Sequence, residues 1–398
     1  MSSEQYQLPI GFKTAGITAG IKESKLPDLA LFASDFPAVA AGVFTQNQVV
    51  GAPVIVSRER VPASNVHAIV INSGNANACT GEQGITDARQ MTAIVAEELN
   101  VEQENVLVCS TGVIGHFLPM EVVGRGIRSA AADLDSKPES LVAAAKAIMA
   151  TDTIEKVVSK QIELNGQTVT VTGVAKGAAM IAPNMATMLS VIMTDCQLDT
   201  DSASKMLKSA VDESFNCISV EGHTSTSDTV LLMANGQAKV ACDDEVSQTA
   251  IQSVLSEVCQ ELSQKIIRDA EGAQHFVTVE VTGMPDQTSA RRVAKVVCES
   301  PLVKTAITGN DPNWGRIVSA AGYAGVTFLE RDVSLSLNGV AIYEWGRSTD
   351  YDEAALSKSM ATGEVNVHLA FRMGTEKVTY WTCDLTAEYI RLNADYTT

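Results

Sequence analysis

The sequence predicts an α+β fold in which mixed or antiparallel sheets are layered and covered by helices. Asn-Gly dipeptides lie between alternating apolar runs in "KQIELNGQTVTVTGVAKG" (160–177) and "VSLSLNGVAIYEWG" (333–346), a pattern typical of β-hairpins. Helical segments alternate with the strand-like segments without a strict strand–helix–strand rhythm. This order favours layered sheets with helices over a single parallel sheet.

The remaining elements follow from the spacing of apolar residues. Buried or alternating runs predict strands at 66–72, at 105–112 and in a third two-strand unit at 364–385. Apolar residues at helical spacing predict helices at 86–100, 139–151, near 200–214 and near 244–268. Thr86 or Asp87 is the predicted cap of the first helix, because side chains of both types accept hydrogen bonds from N-terminal N–H groups.

A domain boundary is predicted near residue 285. Gly, Pro and Ser cluster in "TGMPDQTSARR" (282–292), between a strand signal and a helix signal. This places a larger layered α+β domain at 1–285 and a smaller C-terminal α+β domain at 286–398. The length of 398 residues is enough for this division.

The charge balance limits the classes of partner. The net charge is −18, which argues against nucleic acids and anionic membrane surfaces and suits small cationic substrates. No run reaches the roughly 18 apolar residues of a membrane span. The first residues lack a basic segment followed by an apolar one, so we expect no secretion signal and a cytoplasmic location.

Metal and nucleotide sites are not indicated. The eight cysteines include no CxxC pair and the five histidines are isolated, so we expect reduced, mostly buried thiols and no metal site. Neither GxxxxGK[ST] nor GxGxxG is present, and a GxSxG nucleophile motif is also missing. Three loops rich in Gly, Asn and Ser are better candidates for ligand binding, since their backbone N–H groups can approach a ligand. They are 72–81, 109–115 and 308–317.

Thr187 raises a chemical question, because it follows a Pro-Asn turn and precedes a buried apolar run. A threonine hydroxyl is a weak nucleophile unless a base lies beside it, and its own α-amine can be that base. The amine exists only if the bond between Ala186 and Thr187 has been cut. From the residues alone, Thr187 is only a candidate, and the pattern favours an ordinary threonine packed in the core.

A family resemblance favours the first interpretation. The segment "KGAAMIAPNMATMLSVIMTD" (176–195) resembles the cleavage-site signature of the ornithine acetyltransferase family, the bifunctional glutamate N-acetyltransferases of arginine biosynthesis. Further matches lie in order along nearly the whole chain: "GVFTQNQVVGAPV" (42–54), "INSGNANACTG" (71–81), "STGVIG" (110–115), "TDT" (151–153), "TSTSDT" (224–229), "AEGA" (270–273), "TGNDPNWGRI" (308–317) and "RLNADYTT" (391–398).

The resemblance implies a self-cleaving threonine-nucleophile acyltransferase fold with defined residue roles. Cleavage between Ala186 and Thr187 gives an α chain of residues 1–186 and a β chain of residues 187–398, which the family assembles as an α2β2 heterotetramer. Thr187 is the implied nucleophile, and Thr111 and Gly112 build the implied oxyanion hole. The implied substrate contacts are Thr153, Lys176, Thr187, Glu271, Asn393 and Thr398.

The reaction implied by the resemblance moves an acetyl group from N2-acetyl-L-ornithine to L-glutamate through acetyl-Thr187. It needs no cofactor, and acetyl-CoA stays open as an additional donor. The sequence departs from the common family pattern at Cys217, Ala178, Ala179, Ala270, Glu221 and His223. Two alternatives remain: a self-cleaving aminopeptidase or amidase on a related scaffold, and a non-catalytic binding protein that keeps the fold.

Overall fold

The computed structural model describes residues 6–181 and 188–395, in which two sheets alternate with helices. The strands are β1 Phe12–Ile17, β2 Leu29–Phe44, β3 Ala63–Asn75, β4 Val106–Val113, β5 Lys156–Leu164, β6 Gln167–Lys176, β7 Leu189–Thr194, β8 Ile218–Ser219, β9 Thr229–Ala234, β10 Phe276–Met284, β11 Val333–Leu337, β12 Val340–Glu344, β13 Arg347–Ser348, β14 Glu364–Phe371 and β15 Glu376–Cys383. The helices are α1 Ala52–Arg58, α2 Gly81–Leu99, α3 Met120–Ala132, α4 Pro138–Ala147, α5 Thr200–Asp212, α6 Glu245–Arg268, α7 Gln287–Glu299, α8 Pro301–Thr308, α9 Trp314–Gly322, α10 Glu353–Met360 and α11 Ala387–Asp395.

The first sheet is mixed and has the order β4-β3-β2-β9-β7-β6-β5, with β1 paired to β2. The pairs β3–β4 and β7–β9 are parallel, and the others are antiparallel. Asn165 and Gly166 join β5 to β6 with φ angles of 52° and 76°. Positive φ at both positions is what the two-residue hairpin turn requires, and Asn and Gly adopt it at low cost.

This sheet curves onto itself around a buried cluster. Lys176 at the end of β6 donates to Thr111 of β4 at 3.2 Å, although four strands separate β4 from β6 in the sheet order. Neighbouring strands lie about 4.8 Å apart, so a flat sheet would keep these side chains far from contact. The two ends of the sheet therefore face each other across this core.

Helices pack against the first sheet outside this cluster and also lie between the two sheets. A second cluster joins the sheet to α2 and α3. A third contains residues from β6 and β7, from α5 and α6, and from the second sheet, so this helix pair lies between the sheets. The second sheet has the order β13-β12-β11-β14-β10-β15-β8, and α7 packs against β10 and β15. The predicted α+β architecture of layered mixed sheets covered by helices is confirmed.

Two element predictions were wrong in detail. The two strands predicted at 364–385 do not pair with each other, because β10 lies between β14 and β15. Helix α2 begins at Gly81, five residues before the predicted start. Neither predicted cap acts as one: the Thr86 hydroxyl donates to the carbonyl oxygen of Glu82, and Asp87 accepts from the Gln83 side chain.

The division at residue 285 stays a prediction. Strand β10, which ends at Met284, and strand β8 both belong to the second sheet. The eight cysteines are free thiols, and all except Cys79 are buried. Within residues 6–181 and 188–395, no helix combines the length and apolar character needed to cross a membrane.

Candidate active site

The candidate site lies at the edge of the first sheet where β7 and β9 begin. These strands run parallel with Leu189 opposite Thr229, so Met188 and Asp228 lie side by side just before them. The Thr229 N–H donates to the Met188 carbonyl oxygen at 3.1 Å, and β6 ends beside Leu189 at Lys176. The predicted cleavage residues Ala186 and Thr187 lie outside the described residues.

The predicted oxyanion residues lie at the end of β4. Thr111 is buried, and Gly112 has a φ of 131°. Gly112 pairs with Gly74 of β3, and a Cβ at Gly112 would come within 2.3 Å of the Gly74 carbonyl carbon. The two backbones can approach this closely only because residue 112 is glycine.

Lys176 links the oxyanion residues to the start of β7. Its Nζ donates to Thr111 Oγ1 at 3.2 Å, and the side chain is buried. Burial lowers the pKa of Lys176, whereas the nearby Asp152 carboxylate opposes this decrease. The site therefore contains a buried lysine whose ammonium group can donate to a hydroxyl and to a negatively charged ligand group.

A buried ion network holds the 151–153 segment. Lys156 Nζ contacts Asp152 Oδ1 at 2.7 Å and Asp269 Oδ2 at 2.6 Å. Burial alone would raise the pKa of Asp152, but the Lys156 and Lys176 ammonium groups hold it at about 2. Asp152 also accepts the Gly177 N–H at 2.6 Å, and Thr153 donates to Asp269 through both its N–H and its hydroxyl. These contacts tie Thr153 and the end of β6 together.

Glu271 and Asn393 come together from distant parts of the chain. Asn393 Nδ2 donates to Glu271 Oε2 at 2.8 Å, and the Glu271 N–H donates to the Ala178 carbonyl oxygen at 2.9 Å. Gly272 has a φ of 68°, and a Cβ there would come within 2.5 Å of the Tyr389 nitrogen. Glycine at this position lets α11 approach the 270–273 turn and places Asn393 against Glu271.

One cavity brings together most of the predicted site residues. It is lined by Thr111, Gly112, Lys176, Glu271 and Asn393, and also by Thr226 and Ser227. Thr153 lines an adjoining cavity, which shares Thr151 and Glu271 with the first. Thr398 lies outside the described residues. Each predicted residue that the structure describes therefore belongs to one of two contiguous cavities.

The sequence prediction missed several residues of the site. Asp152, Asp269 and Asp228 supply its buried carboxyl groups, and none was predicted as a site residue. Asp152 and Asp228 stand inside the matched segments "TDT" and "TSTSDT", which was the available signal. Asp269 precedes the matched "AEGA" segment and had no such signal, because its role depends on a lysine 113 residues away.

The chain is similar to known proteins over nearly its whole length. The ArgJ family model matches residues 13–398. The arginine biosynthesis bifunctional protein ArgJ of Rhodopirellula baltica is 45% identical over 395 residues, which cover 98% of this chain and 96% of that protein. The protein of the same name from Thermotoga neapolitana is 45% identical over 399 residues, covering 98% of this chain and 100% of its own length.

A solved structure of ornithine acetyltransferase complexed with ornithine, from Mycobacterium tuberculosis, is 36% identical to this chain. It matches 44% of this chain and 93% of its own, with a TM-score of 0.40. The family match runs from residue 13 to the last residue, and the curated relatives are similar over nearly their whole length. The chain belongs to the ArgJ family.

Proposed function

We propose that the protein transfers an acetyl group from N2-acetyl-L-ornithine to L-glutamate in arginine biosynthesis, through an acetyl ester on Thr187. The transfer follows self-cleavage between Ala186 and Thr187. One observation carries the proposal: the cavity lined by Thr111 and Gly112 is also lined by Lys176, which ends β6 opposite Leu189, the first residue of β7. Curated relatives similar over nearly the full length carry names of arginine biosynthesis.

The first half-reaction forms the acetyl ester. Thr187 Oγ attacks the acetyl carbonyl carbon of N-acetylornithine, and the α-amine of Thr187 takes the hydroxyl proton. Negative charge develops on the carbonyl oxygen, where the Gly112 N–H and the Thr111 hydroxyl donate. The carbon–nitrogen bond to ornithine then breaks, and the amine returns its proton to the departing nitrogen.

Lys176 supports the oxyanion donors in this scheme. A hydroxyl group can donate one hydrogen bond and also accept hydrogen bonds. Because Thr111 Oγ1 accepts a hydrogen bond from Lys176, its own hydrogen is available for the substrate oxygen. The buried ammonium group also stabilises negative charge that develops nearby. The same lysine can meet a substrate carboxylate at the cavity wall, as the resemblance implies.

The remaining cavity residues suit amino-acid substrates. Glu271, held by Asn393, provides a carboxylate for a substrate ammonium group, and Thr153 provides polar groups in the adjoining cavity. Thr398 completes the proposed set. In the second half-reaction the α-amine of glutamate attacks the acetyl ester, which releases N-acetylglutamate and frees the Thr187 hydroxyl. This order of events is a ping-pong mechanism.

The proposal extends to the assembly and the surroundings of the enzyme. The α and β chains remain together as an α2β2 heterotetramer in the cytoplasm. The transfer as written needs no cofactor. Acetyl-CoA is a further acetyl donor to be tested alongside N-acetylornithine.

A donor–acceptor assay tests the function. The purified protein is incubated with acetyl-labelled N-acetylornithine, with and without glutamate, and labelled N-acetylglutamate and acetate are quantified. We expect label in N-acetylglutamate that depends on glutamate, and little acetate. Label released mainly as acetate would identify a hydrolase instead. Acetyl-CoA replaces N-acetylornithine in a parallel reaction.

A further inference from the structure

A half-buried lysine that lines neither cavity contacts the backbone next to the predicted oxyanion residues. Lys22 lies between β1 and β2. A Cβ placed on Gly74 would come within 2.8 Å of Lys22 Cγ and 3.6 Å of Lys22 Cα. The aliphatic stem of Lys22 therefore occupies the space that a side chain at residue 74 would need.

Gly74 is also the residue against which Gly112 packs. The two glycines are partners in the parallel pair of β3 and β4, and a Cβ at Gly112 would come within 2.3 Å of the Gly74 carbonyl carbon. Lys22 and Gly112 thus both lie against Gly74. Because protein interiors are close-packed, a displacement of Gly74 would be passed on to Gly112.

The ammonium group of Lys22 is held by two backbone carbonyls. Its Nζ donates to the Pro27 oxygen at 2.9 Å and to the Met149 oxygen at 2.6 Å. Met149 directly precedes Ala150 and Thr151, which line the same cavity as the predicted oxyanion residues. One side chain therefore connects the β3–β4 pair to a wall of this cavity.

Further contacts fix Lys22 and this wall. The buried Asp28 carboxyl group accepts hydrogen bonds from the four successive N–H groups of residues 19–22, including that of Lys22 at 2.9 Å. The Ser73 hydroxyl of β3 donates to the Ala147 carbonyl oxygen, at the end of α4, at 2.6 Å. The backbone of Lys22 is thus anchored independently of its side chain, which makes the side-chain contacts pre-organised.

The charge of Lys22 also acts on residues of the site. Burial lowers the pKa of Lys22, the Asp28 and Asp152 carboxylates oppose this decrease, and the Lys176 ammonium group adds to it. Lys176 is the residue that donates to the Thr111 hydroxyl. Lys22 is therefore close enough to the predicted oxyanion residues to interact with their neighbours electrostatically.

We propose that Lys22 is a positioning residue for the oxyanion region, with its stem supporting Gly74 beside Gly112 and its ammonium group holding Met149 and the cavity wall that follows. The inference rests on the proposed function, in which the Gly112 N–H stabilises negative charge on the acetyl oxygen. Such a donor is effective only when it is held in place, and a misplacement of about 1 Å can lower the rate roughly 10²-fold.

Lys265 provides a matched control. It is also half-buried, and its Nζ donates to a backbone carbonyl oxygen, that of Val157, at 2.6 Å. It belongs to α6 and lines neither cavity of the site. Lys265→Met therefore measures the cost of removing a half-buried ammonium group from a backbone carbonyl without a change beside Gly74.

The test compares the full-length variants Lys22→Met, Lys22→Arg and Lys265→Met with the wild type. Melting temperature, kcat and KM for N-acetylglutamate formation from N-acetylornithine are measured. We expect Lys22→Met to melt near the control but to have a kcat about 10- to 100-fold lower, with KM changed by less than about threefold. Lys22→Arg keeps a cation with several donors, so it should recover most of the loss in kcat.

Three results would overturn the proposal: a Lys22→Met kcat equal to that of the control, a rise in KM at unchanged kcat, or a Lys22→Arg kcat as low as that of Lys22→Met. If Lys22→Met does not fold, Lys22→Gln and Lys265→Gln are compared by the same criteria. A wild type that transfers no acetyl group contradicts the proposed function and this inference with it. An active wild type with an unaffected Lys22→Met contradicts this inference alone.

Discussion

At the scale of single residues, the contact between Lys176 and Thr111 connects the predicted oxyanion residues to the end of β6, beside Leu189. Lys176 ends β6 and lies opposite Leu189, and its Nζ reaches across the cavity to the Thr111 hydroxyl. The lysine thereby orients a hydroxyl that belongs to a distant strand. This contact explains why a buried lysine is kept at the site despite the cost of removing its charge from water.

Removing the Thr111 hydroxyl should slow the chemical step. Thr111→Val keeps the shape of the side chain but loses the donor, and one such donor typically accounts for a factor of about 10² to 10³ in kcat. We expect kcat to fall by about 10- to 1,000-fold with a small change in KM, measured as N-acetylglutamate formation. Thr111→Ser, which keeps the hydroxyl, is the control. A large rise in KM at unchanged kcat would assign Thr111 to ground-state binding instead.

Glu221 should make stability depend on pH. Burial raises its pKa to about 7, so the folded protein binds a proton that the unfolded chain releases above about pH 4.5. Its contribution is complete below that pH and is lost as the pH rises through 7. Glu221→Gln removes this loss, so its melting temperature relative to the wild type should be higher at pH 8 than at pH 5. Expressed as the free energy of unfolding of the variant relative to the wild type, the expected difference between the two pH values is about 2 kcal/mol. Equal differences at both pH values would contradict this account.

The site residues that lie within recognisable motifs were predicted from the sequence. Thr111, Gly112, Lys176, Glu271 and Asn393 were predicted from matched segments, and all five line one cavity. Asp228 was not predicted as a site residue although it stands inside a matched segment, because the sequence does not show that its carboxyl group is buried beside Met188.

At the scale of elements, the parallel contact between β3 and β4 shapes the oxyanion region. Gly112→Ala should destabilise the protein, because its Cβ would meet the Gly74 backbone and a φ of 131° is unfavourable for alanine. We expect a loss of about 2–4 kcal/mol and reduced acetyl transfer, measured by thermal unfolding and by the donor–acceptor assay.

Gly322→Ala is the control for this change. Gly322 ends α9, and a Cβ there would have no atom within 4 Å, so we expect little change or a gain of up to about 1 kcal/mol. Equal effects of the two substitutions on stability would show that the approach of β4 to β3 does not require glycine.

Local sequence signals predicted the positions of helices and strands well, and the pairing of strands in the sheets less well. Both Asn-Gly turns form hairpins, since positive φ at Asn338 and Gly339 is a property of two residues alone. The strands β14 and β15 were found at their predicted places, but β10 inserts between them. That insertion depends on residues about 80 positions earlier, beyond what periodicity can report. The first turn of α2 was missed because Glu82, Gln83 and Gly84 give no apolar spacing.

At the scale of the whole molecule, the proposed cut would not separate the two pieces. Strand β7 would belong to the β chain, and it pairs with β6 of the α chain over residues 189–194. Strand β9 of the β chain also pairs with β2 of the α chain. The largest core cluster contains residues from both sides of the cut, including Val171 and Ile192. The proposed α and β chains would therefore share one sheet and one core.

Self-cleavage should accordingly leave a stable complex. Under native conditions, residues 1–186 and 187–398 should elute together, and only denaturant should resolve them as two chains. N-terminal sequencing of the longer chain should begin Thr-Met-Leu-Ser. Size-exclusion chromatography with light scattering then tests the proposed α2β2 assembly. Release of either chain without denaturant would contradict the shared-core account.

The layered α+β architecture and the family were both predicted from the sequence, and both are confirmed. The curvature of the first sheet was not predictable, because it depends on contacts between strands that are distant in sequence, such as that between Lys176 of β6 and Thr111 of β4. The helix pair α5 and α6 between the sheets likewise depends on apolar surfaces from several segments. Motifs identified the residues that carry the chemistry, and long-range packing determined where these residues come together.

The central claim is that the amine of Thr187, released by cleavage, activates its own hydroxyl to carry the acetyl group. The most direct test is the intact mass of the separated chains after brief mixing with N-acetylornithine in the absence of glutamate. The account predicts one added acetyl group on residues 187–398, none on residues 1–186, and loss of the added group when glutamate is supplied. A fully active preparation that remains one uncut chain, or two chains that never carry the acetyl group, would contradict it.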